Sequence, residues 1–237
     1  MKWQGEGLIL SVRRHGESSA VVSLLTRDHG RHAGIVRLTQ KNRSIIQPGN
    51  YVQANWSARL PEHLGAFQVE LISSTIARIM SDSLRLTALL ALFSTLDRLL
   101  AERHLYPEIF DLTLELVTAI TSGDDDGWLR LYAGFELRLL EQLGYGLDLS
   151  RCVATGERQD LAYVSPKSGC AVSRAAGEPY AGRLFALPDF FLNNSVPTLA
   201  QIREGLRLTG YFIAKNFFDG IESDTRARLT HVLTLEK

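Results

Sequence analysis

The chain has 237 residues, is 45% hydrophobic and 22% charged, and balances 26 Lys and Arg against 26 Asp and Glu. These values exclude a disordered or fibrous chain and give room for one or two domains with real cores. The zero sum hides a division: the first 80 residues hold ten Lys/Arg against five Asp/Glu and the other 157 hold sixteen against twenty-one, so a +5 part precedes a −5 part.

Short apolar runs bounded by turn residues predict strands over Gly7–Val12 and Ala20–Thr26, with turns at Arg13–Ser19 and Asp28-His29-Gly30. A third strand is expected over His32–Leu38, a fourth over Tyr51–Leu60, where Val52, Ala54, Trp56, Ala58 and Leu60 alternate with polar residues, and a fifth over Phe67–Ile76. The segment Pro61–Gly65 joins the last two. Five short strands with Gly-bearing turns suit a small barrel of the OB type, with an SH3-like barrel as the nearest alternative.

After Ile79 the hydrophobic period changes from two to 3.6. Ser81 or Asp82 can cap a first helix carrying Leu84, Leu89, Leu90, Phe93, Leu96, Leu99 and Leu100; Pro107 starts a second, ending at Gly123. Asp124-Asp125-Asp126 precedes a third, in which Trp128, Leu131, Tyr132, Phe135, Leu139 and Leu143 share a face and Gly144 closes the helix. Ser150–Glu178 reads as irregular, with a hairpin at Ala162-Tyr163-Val164 and Ala171-Val172. A fourth helix is expected over Thr198–Phe218 and a fifth from Ser223 or Asp224 to about Leu233. The fold class is α+β: a barrel domain over 1–79 and a helical domain over 80–237.

The opening residues Met1–Glu6 place a carboxylate and a glycine where an export signal needs an unbroken apolar region. Arg85, Ser94, Asp97 and Arg98 interrupt the longest apolar stretch. A cytoplasmic protein with no membrane span is expected. Cys152 and Cys170 are too few for a disulfide framework.

No phosphate loop, no His-Glu-x-x-His and no cysteine nucleophile signature occurs, so a non-enzymatic role is expected and no cofactor is implied. Instead, Arg13, Arg14, Arg27, Arg31, Arg37, Lys41 and Arg43 fall within thirty-one residues against Glu17 and Asp28 only. On a barrel they can line a groove that tracks a phosphate backbone; the competing reading is a solvated surface. His15, His29 and His32 read as bystanders. Trp3, Tyr51, Trp56 and Phe67 could stack on unpaired bases, although core packing is the expected fate of Trp56 and Phe67. Cys152 stands where a zinc knuckle begins, but a closed site needs four ligands, and no metal is expected.

The segments Gly7-Leu8-Ile9-Leu10, Arg14-His15-Gly16-Glu17, Leu25-Thr26 to Gly30, and Tyr132–Leu140 running to Leu143-Gly144-Tyr145, followed by Cys152–Gly156, resemble in their order the RecO family of recombination mediators. The resemblance covers almost the whole chain. It implies an N-terminal OB-fold, a C-terminal helical domain, binding of single- and double-stranded DNA, and annealing of complementary strands. It also implies partnership with RecR, with single-strand-binding protein and, indirectly, with RecA and its loading. Many members carry a four-Cys zinc module; Thr155, Ser173 and Ala176 stand where three of those cysteines would lie, which implies a metal-free remnant. A groove among the helices with a rim from Arg203, Arg207 or Lys215 could accept the acidic, aromatic-ended tail of single-strand-binding protein. The alternative function is a protein adaptor whose basic barrel meets an acidic partner rather than DNA.

Overall fold

The computed structural model describes residues 1–60, 62–122 and 127–235. The chain forms two compact units, Met1–Gly123 and Asp124–Lys237. The first two helices therefore fall in the same compact unit as the barrel.

In the first unit β1 (Lys2–His15), β2 (Ser19–Thr26), β3 (Gly30–Arg37), β4 (Tyr51–Ser57) and β5 (Ala66–Ser73) close a barrel in the order β1-β2-β3-β5-β4. All pairings are antiparallel except β3 with β5, which meet at Ile35 and Ala66. This is the Greek-key closure of an OB-type barrel. β1 begins five residues before the expected strand because it serves two partners: Lys2–Leu8 pairs with β4, and Gly7–His15 pairs with β2 past a bulge between Ile9 and Ser11. Gly7 lies at the crossover, where a Cβ would come within 2.9 Å of the Thr26 side chain and 3.0 Å of the Leu25 carbonyl.

Period-two alternation sends Ile9, Val22, Leu24, Val36, Val52, Ala54, Trp56 and Phe67 into the barrel, and Ile46 from the β3–β4 connection joins them. Buried Asn50 holds that connection in shape, its Nδ2 donating to the Ser44 and Ile45 carbonyls at 3.0 and 2.9 Å.

Helix α1 (Ser83–Leu99) packs on β1, and α2 (Pro107–Ser122) on β2 and α1. Asp82 caps α1 by accepting from the Arg85 N–H at 2.9 Å. Arg85 interrupts the apolar run in sequence yet is buried, because its guanidinium donates to the Ile120 carbonyl near the C-terminus of α2 at 2.7 Å, where a cation is favoured. The expected stop at Gly123 and the Asp124-Asp125-Asp126 run lie outside the described residues.

The second unit contains α3 (Gly127–Gln142), β6 (Leu161–Val164), β7 (Ala171–Ser173), α4 (Arg174–Gly177), β8 (Phe185–Ala186), α5 (Leu199–Phe217) and α6 (Asp224–Leu235). The segment expected to be irregular is more ordered than that: its hairpin gains β8 to make a three-stranded sheet, β7-β6-β8. Gly144, at φ +84°, ends α3 while the Tyr145 N–H reaches back to the Leu140 carbonyl at 2.8 Å. Thr198 and Gln201 form a reciprocal capping box at the start of α5. Along α3 one position departs from the expected face: Leu131 is exposed, whereas Glu136 is buried.

That carboxylate has a partner. Arg226 on α6 donates to both Glu136 oxygens at 2.7 and 2.8 Å, and the Thr209 hydroxyl on α5 donates to one of them at 2.5 Å. Arg226 also reaches Glu222 and the Leu206 carbonyl. Burial works against the Arg226 charge, but the neighbouring Glu136 outweighs it and raises the pKa. No helix among the described residues is long and apolar enough to cross a membrane.

Candidate nucleic-acid interface

The seven cations of positions 13–43 divide by surroundings. Register places Arg14 opposite Ala20 and Ala20 opposite Val36; in the next row, His15 faces Ser19 and Ser19 faces Arg37. Arg14 and Arg37 thus sit at one end of β1-β2-β3. The Leu38 N–H donates to the Ser18 carbonyl at 2.7 Å, and Asn42, flanked by Lys41 and Arg43, donates its Nδ2 to the Arg37 carbonyl at 2.9 Å. Arg14, Arg37, Lys41 and Arg43 are exposed there. Among the described residues no carboxylate lies within ion-pair distance of any of them, although Glu17 occupies the adjoining turn.

The other three cations are committed inside the unit. Arg13 and Arg31 converge on the buried carboxylate of Asp97 in α1, at 3.0 and 3.4 Å, and the Arg31 Nε donates to the Leu100 carbonyl at 2.7 Å. Arg27 makes a two-pronged ion pair with Asp111 in α2, both contacts at 3.0 Å. The hydrogen bond and charge of Asp111 raise the Arg27 pKa, and those of Arg27 lower the Asp111 pKa. These arginines fasten helices to the barrel. The sequence carried a signal for one of them: Asp97 interrupts an otherwise buried run, and a carboxylate in such a place needs a cation.

Trp56 and Phe67 are buried in the barrel. Trp3 is half-buried, with His29 stacked 4.2 Å away on one side and Trp56 at 6.1 Å in near-parallel orientation. Tyr51 donates to Glu6 at 2.8 Å; burial first, then this bond, raises the pKa of its hydroxyl. His32 lies edge-on to Trp3 and Trp56, and neither of its buried nitrogens has a hydrogen-bond partner among the described residues. Burial, helped by the nearby Arg103 charge, lowers its pKa to about 4. His15 is exposed.

In the helical unit, Arg203, Arg207 and Lys215 do not form one rim. Arg203 donates to the Leu233 carbonyl at 2.9 Å, and Lys215 donates to the Pro166 and Lys167 carbonyls at 2.7 and 3.2 Å. Arg207 alone of the three lines a cleft of about 360 Å3, where its guanidinium lies 5.5 Å from the Phe185 ring centre. Tyr211, Ala214 and Thr230 complete the walls, with Glu222 and the already paired Arg226 among them.

The residues at the zinc-knuckle position do not fit the metal. Cys152 is buried in a turn closed by the Gly156 N–H donating to its carbonyl at 2.8 Å, but Thr155, Ser173 and Ala176 offer no thiolate or imidazole. Burial acts to raise the Cys152 pKa; hydrogen bonding from Ser173 and Thr155 overrides it and brings the value down to about 6. Among the described residues no group of three or more His, Cys, Asp or Glu is placed to hold a metal ion.

The family model described as Recombination protein O N terminal matches residues 1–75, the barrel, and that described as Recombination protein O C terminal matches residues 80–224. The chain belongs to the RecO family. Relatives named DNA repair protein RecO include one from Cereibacter sphaeroides (strain ATCC 17029 / ATH 2.4.9), 43% identical over 239 residues, 98% of each chain. One from Methylobacterium nodulans is 48% identical over 221 residues, 90% of this chain and 89% of its own. A third, from Rhodospirillum centenum, is 44% identical over 222 residues, 92% of this chain and 88% of its own. The two RecO matches meet between residues 75 and 80, just before α1, whereas the compact units divide after α2.

Proposed function

We propose that this RecO-family chain is a DNA-binding mediator of recombinational repair that works without a catalytic step. The observation that carries the reading is the set of four exposed, unneutralised cations, Arg14, Arg37, Lys41 and Arg43, gathered at one end of the barrel by strand register and by the Asn42–Arg37 bond. Cations so placed hold the phosphates of single- or double-stranded DNA and leave base edges free, which is what annealing of two mutually repelling strands requires. The names of the relatives support a place in DNA repair.

In this reading the helical unit docks proteins. Its cleft, with Arg207 beside Phe185 and Tyr211, has the chemistry to take an acidic, aromatic-ended peptide such as the tail of single-strand-binding protein. RecR is the expected co-mediator and RecA the protein whose loading benefits. The deciding experiment is annealing of complementary strands coated with single-strand-binding protein. The chain is expected to accelerate it, and the Arg14→Ala/Arg37→Ala variant to lose most of that effect. An unchanged annealing rate on adding the chain would overturn the reading.

A further inference from the structure

A second feature of the barrel lies apart from the cationic end. The face formed by β1, β4 and β5 carries a cleft of about 470 Å3 lined by Lys2, Gln4, Asn55 and Gln68, with Trp3 and Trp56. Its centre is a single cross-strand row: Gln4 stands opposite Asn55, and Asn55 opposite Gln68. All three are exposed, and among the described residues none of their carboxamides bonds within the protein. The flanking rows differ in charge. Lys2, Ser57 and Ala66 lie on one side; Glu6, Gln53 and Glu70 lie on the other, Glu6 being engaged by the Tyr51 hydroxyl.

The rings in the cleft are largely committed to the protein: Trp56 is buried, and Trp3 is half-buried with His29 stacked on it at 4.2 Å. What the cleft offers is three side chains that each carry an acceptor and a two-proton donor side by side. That mixed pattern matches the edge of a nucleobase. Carboxamides pair two-pronged with adenine through N6 and N7, whereas cytosine favours a carboxylate, which the cleft lacks, and guanine a guanidinium or ammonium, of which the cleft has only Lys2, in the row beside the carboxamides. Lys2 adds one ammonium beside the row, suited to the adjoining phosphate. The two carboxylates beyond it discourage a phosphate backbone from running along the trough, which leaves the row to a base entering edge-on.

We propose that this carboxamide row receives an unpaired adenine of a single strand, edge-on, with Lys2 on its phosphate. The proposal rests on the barrel binding single strands. It adds a base-reading site to the cationic end.

Affinities of the full chain for oligo(dA), oligo(dT) and an abasic strand of equal length, at several salt concentrations, test it. Wild type is expected to bind oligo(dA) about tenfold more tightly than the abasic strand, the size of one good base contact. Gln4→Ala/Asn55→Ala/Gln68→Ala removes that preference and leaves the salt slope unchanged, since carboxamides release no counterions. If that variant fails to fold, as judged by tryptophan emission, Asn55→Ala alone, at the centre of the row, is expected to lose at least about threefold of the preference. Equal binding of oligo(dA) and the abasic strand by wild type, or a preference that survives the substitutions, overturns the site while the cationic barrel stands. Failure to bind any strand overturns both.

Discussion

Glu136 and Arg226, ninety residues apart, meet as a two-pronged ion pair inside the helical unit and tie α3 to α6 across α5. Gly210 on α5 makes the space, since a Cβ there would fall 2.0 Å from the guanidinium. Two charges so buried stabilise the unit only while both are present, because either alone keeps its desolvation cost without its partner. Arg226→Ala or Glu136→Ala is expected to destabilise the helical unit by about 3–5 kcal/mol. The joint replacement Glu136→Leu/Arg226→Met should cost far less than the two singles added together. Urea unfolding followed by near-ultraviolet dichroism checks both; additive losses would contradict the pairing.

The seven basic residues should divide by measurement as they do in space. Arg37→Ala and Arg14→Ala are each expected to reduce the salt dependence of single-strand binding by about 0.7 in log–log slope per phosphate lost. Arg27→Ala should leave that slope as it was, its charge being matched by Asp111. Arg31→Ala leaves Asp97 and the Leu100 carbonyl short of a partner and is expected to lower the stability of the barrel unit by about 1–3 kcal/mol. Filter binding across salt, with unfolding curves alongside, separates the two groups.

His32 makes the barrel acid-sensitive. Its pKa of about 4 in the folded chain lies below the ordinary 6.5, so between those values the unfolded chain binds the proton that the folded chain refuses. Stability is then fully present above pH 6.5, declines as pH falls toward 4, and declines no further below that on account of this residue. The loss is expected to be on the order of 2 kcal/mol. Comparing urea midpoints at pH 7 and pH 4.5 for wild type and His32→Gln isolates the effect, which should shrink in the variant.

Gly30 turns β2 into β3 at φ +65°, and a side chain there would press its Cβ to 1.9 Å from the His104 carbonyl. Gly30→Ala combines an unfavourable backbone region with a backbone clash. A loss of about 3 kcal/mol or more is expected. Thermal unfolding of this variant beside Gly16→Ala, whose Cβ would meet nothing within 4 Å, distinguishes the clash from the conformation.

Strands β2 and β3 and helices α1, α2, α5 and α6 were legible because period and punctuation agree: alternation in the strands, Asp82, Pro107 and Thr198 at the helix starts. The first five residues of β1 were not, since Trp3, Gly5 and three polar residues carry no β-branched signal and pair only because β4 supplies a partner about fifty residues later. The cationic stretch was visible as composition. Its division was visible only in part: Asp97 breaks an apolar run and so asks for a cation, but which arginines it takes, and that Asp111 takes Arg27, depend on helix packing that no local pattern announces. Gln4, Asn55 and Gln68 escaped for the same reason: three amides scattered over sixty-five positions form a row only once register is known.

The doubled duty of β1 has a kinetic side. Its two halves find their partners at very different distances along the chain, His15 with Ser19 but Lys2 with Ser57. The β1-β2-β3 meander can therefore assemble early from neighbours, while the ring stays open until β4 and β5 arrive and the chain's second residue is captured. Closing so long a loop is the slow kind of contact. Residues 1–50 alone contain three strands and the basic end, but not the partners that close the barrel.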